Sequence, residues 1–445
     1  MKRRILSIFM CLCMALCLLP TAALAEGVTQ YDIWVGGVRV TSENASGVTG
    51  PGITGTVSYA NGTLTLSGAS ITGAYTDSNS HSAAIYASTA LTVVLTGVNT
   101  AVGPYTASGY SYGVYCYGTL AINGSGSLNA VGGAETGPDG SSYGVYGGSS
   151  VTISGNTKVT ATGGKADSNS YGVYGKCGVN ISDATVTAAG GEAGGTSCGV
   201  WGYGANVGVS ISGSAKVTAT GGKAGSSSFG VYGGNSSVDV SVSDSAKVTA
   251  MGGEAGETSC GVWGSYNVSV TGGVVNATGG KASSHSYGVY GGTIDVNNDG
   301  GSGLLIAKGK TSAADKDSTC GAGSAALTGA YTEDFAIWGI SETYPTANIL
   351  TSTLDLNTWS DDATSHWSET SGGYKTETVE GVKTLTLKNV IINAPDNDSD
   401  NAYGVHLPSE AVSVVLEGVN VASAGNNNSG GSGSKSNSYG VYGGS

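Results

Sequence analysis

The chain has 445 residues, 18 Lys+Arg against 31 Asp+Glu, a formal net charge of −13, and 77 Gly. Such an acidic surface repels nucleic acid and anionic membranes. Gly and Thr at this density disfavour a helical fold, and a mean hydropathy of +0.04 with persistent strand patterning argues for an ordered rather than a disordered chain.

Residues 1–25 read as a secretory signal. Lys2, Arg3 and Arg4 precede an apolar run over residues 5–19, and Ala23-Leu24-Ala25 is a small-x-small cleavage site. Cleavage yields a secreted chain starting at Glu26, with 15 Lys+Arg against 31 Asp+Glu and a net charge of −16. Cys17 follows Leu16 rather than a small residue, which argues against a lipid anchor, and no later apolar run is long enough for a transmembrane helix.

Residues 26–82 do not share the repeat that fills the middle of the chain: they read Y-D-I-W-V-G-G-V-R-V-T, then T-V-S-Y-A-N-G-T-L-T-L. A solenoid end exposes an unpaired strand ladder that must be covered, so this segment is expected to be an N-terminal β cap, with a hairpin turning at Asn61-Gly62.

Residues 83–310 carry the repeat: Y-G-V-Y-G-G, then V-T-I-S-G, then K-V-T-A-T-G-G. Its Val recurs at Val114, Val145, Val173, Val200, Val231, Val262 and Val289, a mean period of about 29 residues. Each period holds three short runs in which apolar or β-branched residues alternate with Ser, Thr or Gly. Three strands and three turns make one coil, and equivalent strands pair in parallel about 4.8 Å apart. The expected fold is all-β: a right-handed parallel β-helix with Val and Ile stacked in a narrow core.

Within Y-G-V-Y, extended backbone puts the first and third residues on one face. The first position holds Tyr112, Tyr143, Tyr171, Cys198, Phe229, Cys260 and Tyr287, a set that reads as buried. The fourth holds Tyr115, Tyr146, Tyr174, Trp201, Tyr232, Trp263 and Tyr290, which suits aromatics with one wet edge. Trp stands at the fourth position only where Cys holds the first, so the two sites exchange volume. The row reads either as a structural ladder or as a ligand platform. After the third strand, Lys165, Glu192, Lys223, Glu254 and Lys281 alternate in sign at matching corners, with Glu135 close to the same place; this reads as an exposed salt-bridge ladder.

Residues 311–330 read as a linker, and residues 331–445 as the start of a second cap and β-helix module. F-A-I-W-G at Phe335 echoes the opening, T-L-T-L at Thr384 repeats Thr63, and A-Y-G-V-H-L at Ala402 repeats the first coil. The chain stops at Ser445 after another Y-G-V-Y-G-G, with neither a C-terminal cap nor a wall-anchoring signal, so the module is expected to continue beyond it. Of the five cysteines left after cleavage, Cys198 and Cys260 share a repeat position two coils apart and Cys177 fits neither, so all three are expected to be unpaired.

Few motifs point to chemistry. Two G-x-S-x-G matches, at residues 140–144 and 195–199, lie in loops before a strand rather than at a strand-to-helix turn. His81, His285, His366 and His406 show no metal-ligand spacing. Asp396, Asp398 and Asp400 resemble the start of a calcium loop, but Asn401 and Leu407 stand where an EF-hand needs Gly and Glu, so only a looser calcium site fits. The T-x-T pairs Thr160/Thr162 and Thr218/Thr220 alternate with Thr187/Ala189, Thr249/Met251 and Asn276/Thr278, a broken register that favours structural ladders over an ice-binding array.

The signal, the Y-D-I-W-V-G-G-V-R-V-T opening, T-L-T-L followed by A-I-Y and L-T-V-V-L-T-G-V-N-T, and the Y-G-V-Y coils resemble secreted carbohydrate-binding or adhesin-like β-helix proteins of Gram-positive bacteria. The resemblance implies a pectate-lyase-like fold and a polysaccharide partner, in some relatives held with calcium. The lyases' Arg or Lys base and the polygalacturonases' paired Asp do not carry over, because Arg39 lies in the cap and Asp361-Asp362 is isolated. The expectation is a non-enzymatic, secreted or surface-bound protein. It would hold an extracellular polysaccharide, a host or plant glycan, on the aromatic row, and an anionic polymer such as pectin only with calcium. The alternatives are a structural stalk and a polysaccharide lyase or hydrolase.

Overall fold

The computed structural model describes residues 28–296, apart from 205–206 and 235–237, and shorter runs within 303–443. The leader, most of the 311–330 linker, and Asp396, Asp398 and Asp400 lie outside the described residues. Among the described residues every element is a strand, and no helix is long and apolar enough to cross a membrane.

The repeat folds as a parallel β-solenoid. One ladder of the 12-stranded sheet runs from His81–Ala87 through Tyr110–Cys116 and each later Y-G-V-Y strand to Ser312–Ala314. Its register matches the repeat: Val145 lies opposite Val114 and Val173, and Val200 opposite Val173 and Val231. The other two strands of each coil form parallel ladders within a 20-stranded sheet. Between the ladders lies a core of stacked Val, Ile, Leu and Ala, in which Val145, Val173, Val200 and Val231 are fully buried.

One face assignment differs from the alternation rule. The first and fourth residues of Y-G-V-Y point the same way, into an aromatic layer outside the core, while the third points inward. In the first coil Ala84 and Ile85 both belong to the core, between Ala83 and Tyr86 of the outer layer, so two successive residues face in. The second position is Gly in later coils because the backbones are too close for more. A Cβ on Gly199 would lie 2.5 Å from the Thr220 amide nitrogen and 2.7 Å from the Gly230 oxygen.

The turn into this strand is held by a polar ladder. The Ser before each first position is fully or almost fully buried, and its hydroxyl links two coils. Ser170 Oγ donates to Gly164 O at 2.7 Å and accepts from Gly191 N at 2.7 Å; Ser197 repeats this with Gly191 O and Gly222 N, both at 2.8 Å. The G-G pair exists for this contact, since a Cβ on Gly190 would come within 2.3 Å of Ser197 Oγ. Each hydroxyl satisfies a loop amide and a carbonyl that would otherwise be buried unpaired.

At the N-terminal end two antiparallel hairpins precede the first coil. Gln30–Val35 pairs with Val38–Thr41 and, through Trp34 opposite Tyr86, with the first coil. Ile53–Ala60 pairs with Thr63–Ile71 through a turn in which Asn61 and Gly62 have φ of 48° and 77°, the left-handed pair expected of an Asn-Gly hairpin. Buried Asn99 joins this hairpin to the coils, accepting from Ala69 N at 2.8 Å and donating to Ser127 O at 3.1 Å.

The same scheme recurs later in the chain. Gly372–Val379 and Val382–Lys388 form an antiparallel hairpin, the second strand pairs in parallel with Val412–Glu417, and Asn420 accepts from Val390 N at 3.0 Å. Phe335–Trp338 pairs antiparallel with Leu304–Lys308.

Candidate carbohydrate-binding surface

The fourth-position residues form a continuous stack on the outside of the Y-G-V-Y sheet. Tyr115, Tyr146 and Tyr174 succeed one another at ring-centroid distances of 5.1 and 5.2 Å, with planes within 6° of parallel. Trp201 lies 6.5 Å from Tyr174 and 3.7 Å from Tyr232; Trp263 lies 6.3 Å from Tyr232 and 3.7 Å from Tyr290. The stack continues beyond the predicted row to Tyr86, 4.9 Å from Tyr115, whose hydroxyl donates to Asp77 Oδ2. The A-I-Y of the first coil was the available signal for it.

The first-position residues sit under this stack. Tyr143 meets Tyr146 and Tyr174 edge-on at 5.2 and 5.6 Å, and Tyr171 meets Trp201 at 5.4 Å. Where Cys198 and Cys260 replace a ring, the larger Trp201 and Trp263 belong to the same packed layer, as volume exchange requires. Cys116, Cys177, Cys198 and Cys260 are free thiols, and all but Cys177 are buried.

Burial has an electrostatic consequence. Tyr112, Tyr143 and Tyr171 are held well above the usual phenol range because ionising them would bury a charge. Half-buried Tyr146 is pushed up to about 12 by the same cause, reinforced by Tyr174. Burial likewise pushes the Cys116 thiol up to about 11.

This geometry decides what the row offers a ligand. Within the stack the planes of successive rings lie within 16° of parallel, so each inner ring turns its faces toward its neighbours rather than outward. Tyr115 is 3% exposed, and Tyr146, Tyr174, Trp201, Tyr232, Trp263 and Tyr290 are half-buried. Open rings stand instead at the corner just after the stack: Tyr117, Tyr203 and Tyr266 are 68%, 42% and 62% exposed. Tyr117 comes directly after Cys116, the partner of Ala87 and Gly147, so small residues flank it on both sides; Tyr203 pairs in register with Gly234 in the following coil, while Lys176, directly after the Gly175 partner of Gly202, stands beside it in the preceding one. Their signal was an extra aromatic two or three residues past the fourth position, in Y-C-Y, W-G-Y and W-G-S-Y.

The corner charges also resolve. Lys165 pairs with Glu192 at 3.2 Å and Lys281 with Glu254 at 3.8 Å, all of them exposed. Glu135 is not part of this ladder. Its amide donates to Lys165 O as that of Ala166 donates to Glu192 O, so it occupies a column of alanines and is 1% exposed. One carboxylate oxygen accepts from Gly137 N; the other has no hydrogen-bond partner. Glu135, Lys165, Asp167 and Glu192 line a cavity of about 260 Å³ between successive loops.

Among the described residues no three His, Cys, Asp or Glu side chains converge as metal ligands. Asp361 and Asp362 serve their own turn, Asp361 accepting from Thr378 Oγ1 and Trp359 Nε1 and Asp362 from Ser365 Oγ and the Ser365 and Thr364 amides, bonds that hold both carboxyls below the usual range.

No protein-family model matches the chain, and neither a curated protein nor a solved structure matches it. The β-solenoid therefore stands on its own geometry.

Proposed function

We propose that this is a secreted or cell-surface, non-enzymatic, adhesin-like protein that holds an extracellular host or plant polysaccharide along the outside of its solenoid. The observation that carries this reading is the exposure of Tyr117, Tyr203 and Tyr266 beside an aromatic stack that fixes the corner they stand on. A sugar packs its apolar C–H face on an open ring, while the stack below offers phenol edges for hydrogen bonds. The three rings stand three and two coils apart, about 14 and 10 Å at a pitch of about 4.8 Å, so a glycan lying along the axis meets one at intervals of two or three sugar units, and such weak contacts on a rigid support add without much ordering cost. The row from Tyr115 to Tyr290 then positions the contacts rather than making them through its faces.

A glycan array with calcium and with EDTA tests this. Combining Tyr117→Ala, Tyr203→Ala and Tyr266→Ala should abolish retention of the bound neutral glycan with an unchanged melting temperature. Full retention by that variant would overturn the reading. Incubation with pectin, alginate and xylan should release neither unsaturated products nor new reducing ends; their appearance would make the protein a lyase or hydrolase.

A further inference from the structure

We propose that a second face of the solenoid, on the sheet that does not carry the aromatic row, binds a linear polyanionic glycan directly, without calcium. This deepens the polysaccharide reading but rests on different residues.

The face is built by the third strand of each coil. In Lys158–Thr162, Thr185–Ala189, Lys216–Thr220 and Lys247–Met251 the second and fourth residues, Val and Ala, point into the core, while the first and third are exposed. Strand pairing aligns Lys158, Thr185, Lys216 and Lys247 in one column and Thr160, Thr187, Thr218 and Thr249 in the next. The result is a strip of cations beside a strip of hydroxyls over four coils.

Two observations separate this strip from ordinary surface charge. First, Lys216 and Lys247 lie directly opposite each other in register, an arrangement in which like charges repel. At the G-G-K-A corner the same chain avoids this by alternating Lys and Glu, as in Lys165–Glu192. Second, Lys158, Lys216 and Lys247 have no ion-pair partner among the described residues, whereas Arg39, Lys165, Lys281, Lys375, Lys383 and Lys388 each have one. Two further described lysines without an ion pair, Lys176 and Lys223, stand singly at other corners, so the third-strand column is where such cations recur in register, in a chain of net charge −13.

The acids nearest in sequence, Asp183 and Asp244, are engaged by the neighbouring turns: Asp183 Oδ1 accepts from Ser214 N and Oγ, and Asp244 Oδ2 from Gly213 N and Ser243 Oγ. An extended chain of uronate or sulfated sugars lying across the coils would meet an ammonium every one or two coil pitches of about 4.8 Å, with Thr hydroxyls beside it. It would also relieve the Lys216–Lys247 repulsion. The overall negative charge does not forbid this, because screening confines surface electrostatics to about 10 Å at ordinary salt.

The test is retention on immobilised polygalacturonate, dextran sulfate and neutral dextran, in EDTA, at low and high salt. The unaltered protein should bind one or both polyanions at low salt and release at high salt; the two columns tell carboxylate from sulfate recognition. Combining Lys158→Gln, Lys216→Gln and Lys247→Gln should weaken that binding by about tenfold or more. Lys165→Gln, Lys223→Gln and Lys281→Gln together, an equal change in charge, should leave it intact. The Tyr117, Tyr203 and Tyr266 variant should still bind the polyanion, so failure of the aromatic reading is separable from failure of this one. The inference is overturned if neither polyanion is retained better than dextran in EDTA, if both lysine triples weaken binding equally, or if single-stranded DNA binds as well.

Discussion

Val200→Asp probes the solenoid at its centre. Val200 is fully buried, and its neighbours in register, Val173 and Val231, are Val as well, so a carboxylate there meets only apolar side chains above and below. Full burial raises a carboxyl pKa by about 3–5 units, to or above neutrality, so at pH 7 the carboxyl stays largely protonated in the fold and the penalty is set by the gap from the unfolded pKa, about 4 kcal/mol. The sign comes from linkage. The folded-state pKa is raised above the unfolded value of about 3.9, so the ionisation part of the penalty is nearly absent below that pH and grows as pH rises toward the folded pKa, while the cost of an unpartnered neutral carboxyl in an apolar core remains at every pH. Thermal or denaturant unfolding at pH 4 and pH 7 should show the greater loss at pH 7. Thr187→Asp, on the exposed face of the third strand, should change stability by no more than about 0.5 kcal/mol. If Val200→Asp matched Thr187→Asp at pH 7, the assignment of Val200 to the interior would be wrong.

The buried aromatic and thiol layer gives two more expected outcomes. In a spectrophotometric titration Tyr146 should ionise only near pH 12, and Tyr112, Tyr143 and Tyr171 only on unfolding, so stability should fall as pH climbs above about 10, where the unfolded phenols ionise. Ionisation of all phenols near pH 10 with the fold intact would contradict the stack. An aromatic disulfide reagent at pH 8 should label Cys177 at once and leave Cys116, Cys198 and Cys260 unmodified until the chain unfolds; rapid modification of Cys198 would show that its layer opens.

The repeat, its three strands per coil, the Val ladder and the Asn61-Gly62 hairpin were legible in the sequence by itself. All depend on local rules: a period-2 pattern, a fixed repeat length, and residues that tolerate left-handed backbone. The volume exchange between Cys and Trp was legible for the same reason, since parallel stacking places like positions over one another. What tertiary structure decided was which way each side chain points where backbones approach too closely for a Cβ. Gly199 and its equivalents put two successive residues inward, so the rings at the first and fourth positions form one layer and Val alone enters the core. That layer turns its ring faces on itself, which no spacing along the chain could reveal, and leaves Tyr117, Tyr203 and Tyr266 as exposed rings at the corner that follows it. The positions of Glu135 in a buried alanine column and of three unpaired lysines in an exposed one were likewise fixed only by the pairing of coils, because register between strands some 30 residues apart is set by loops of unequal length.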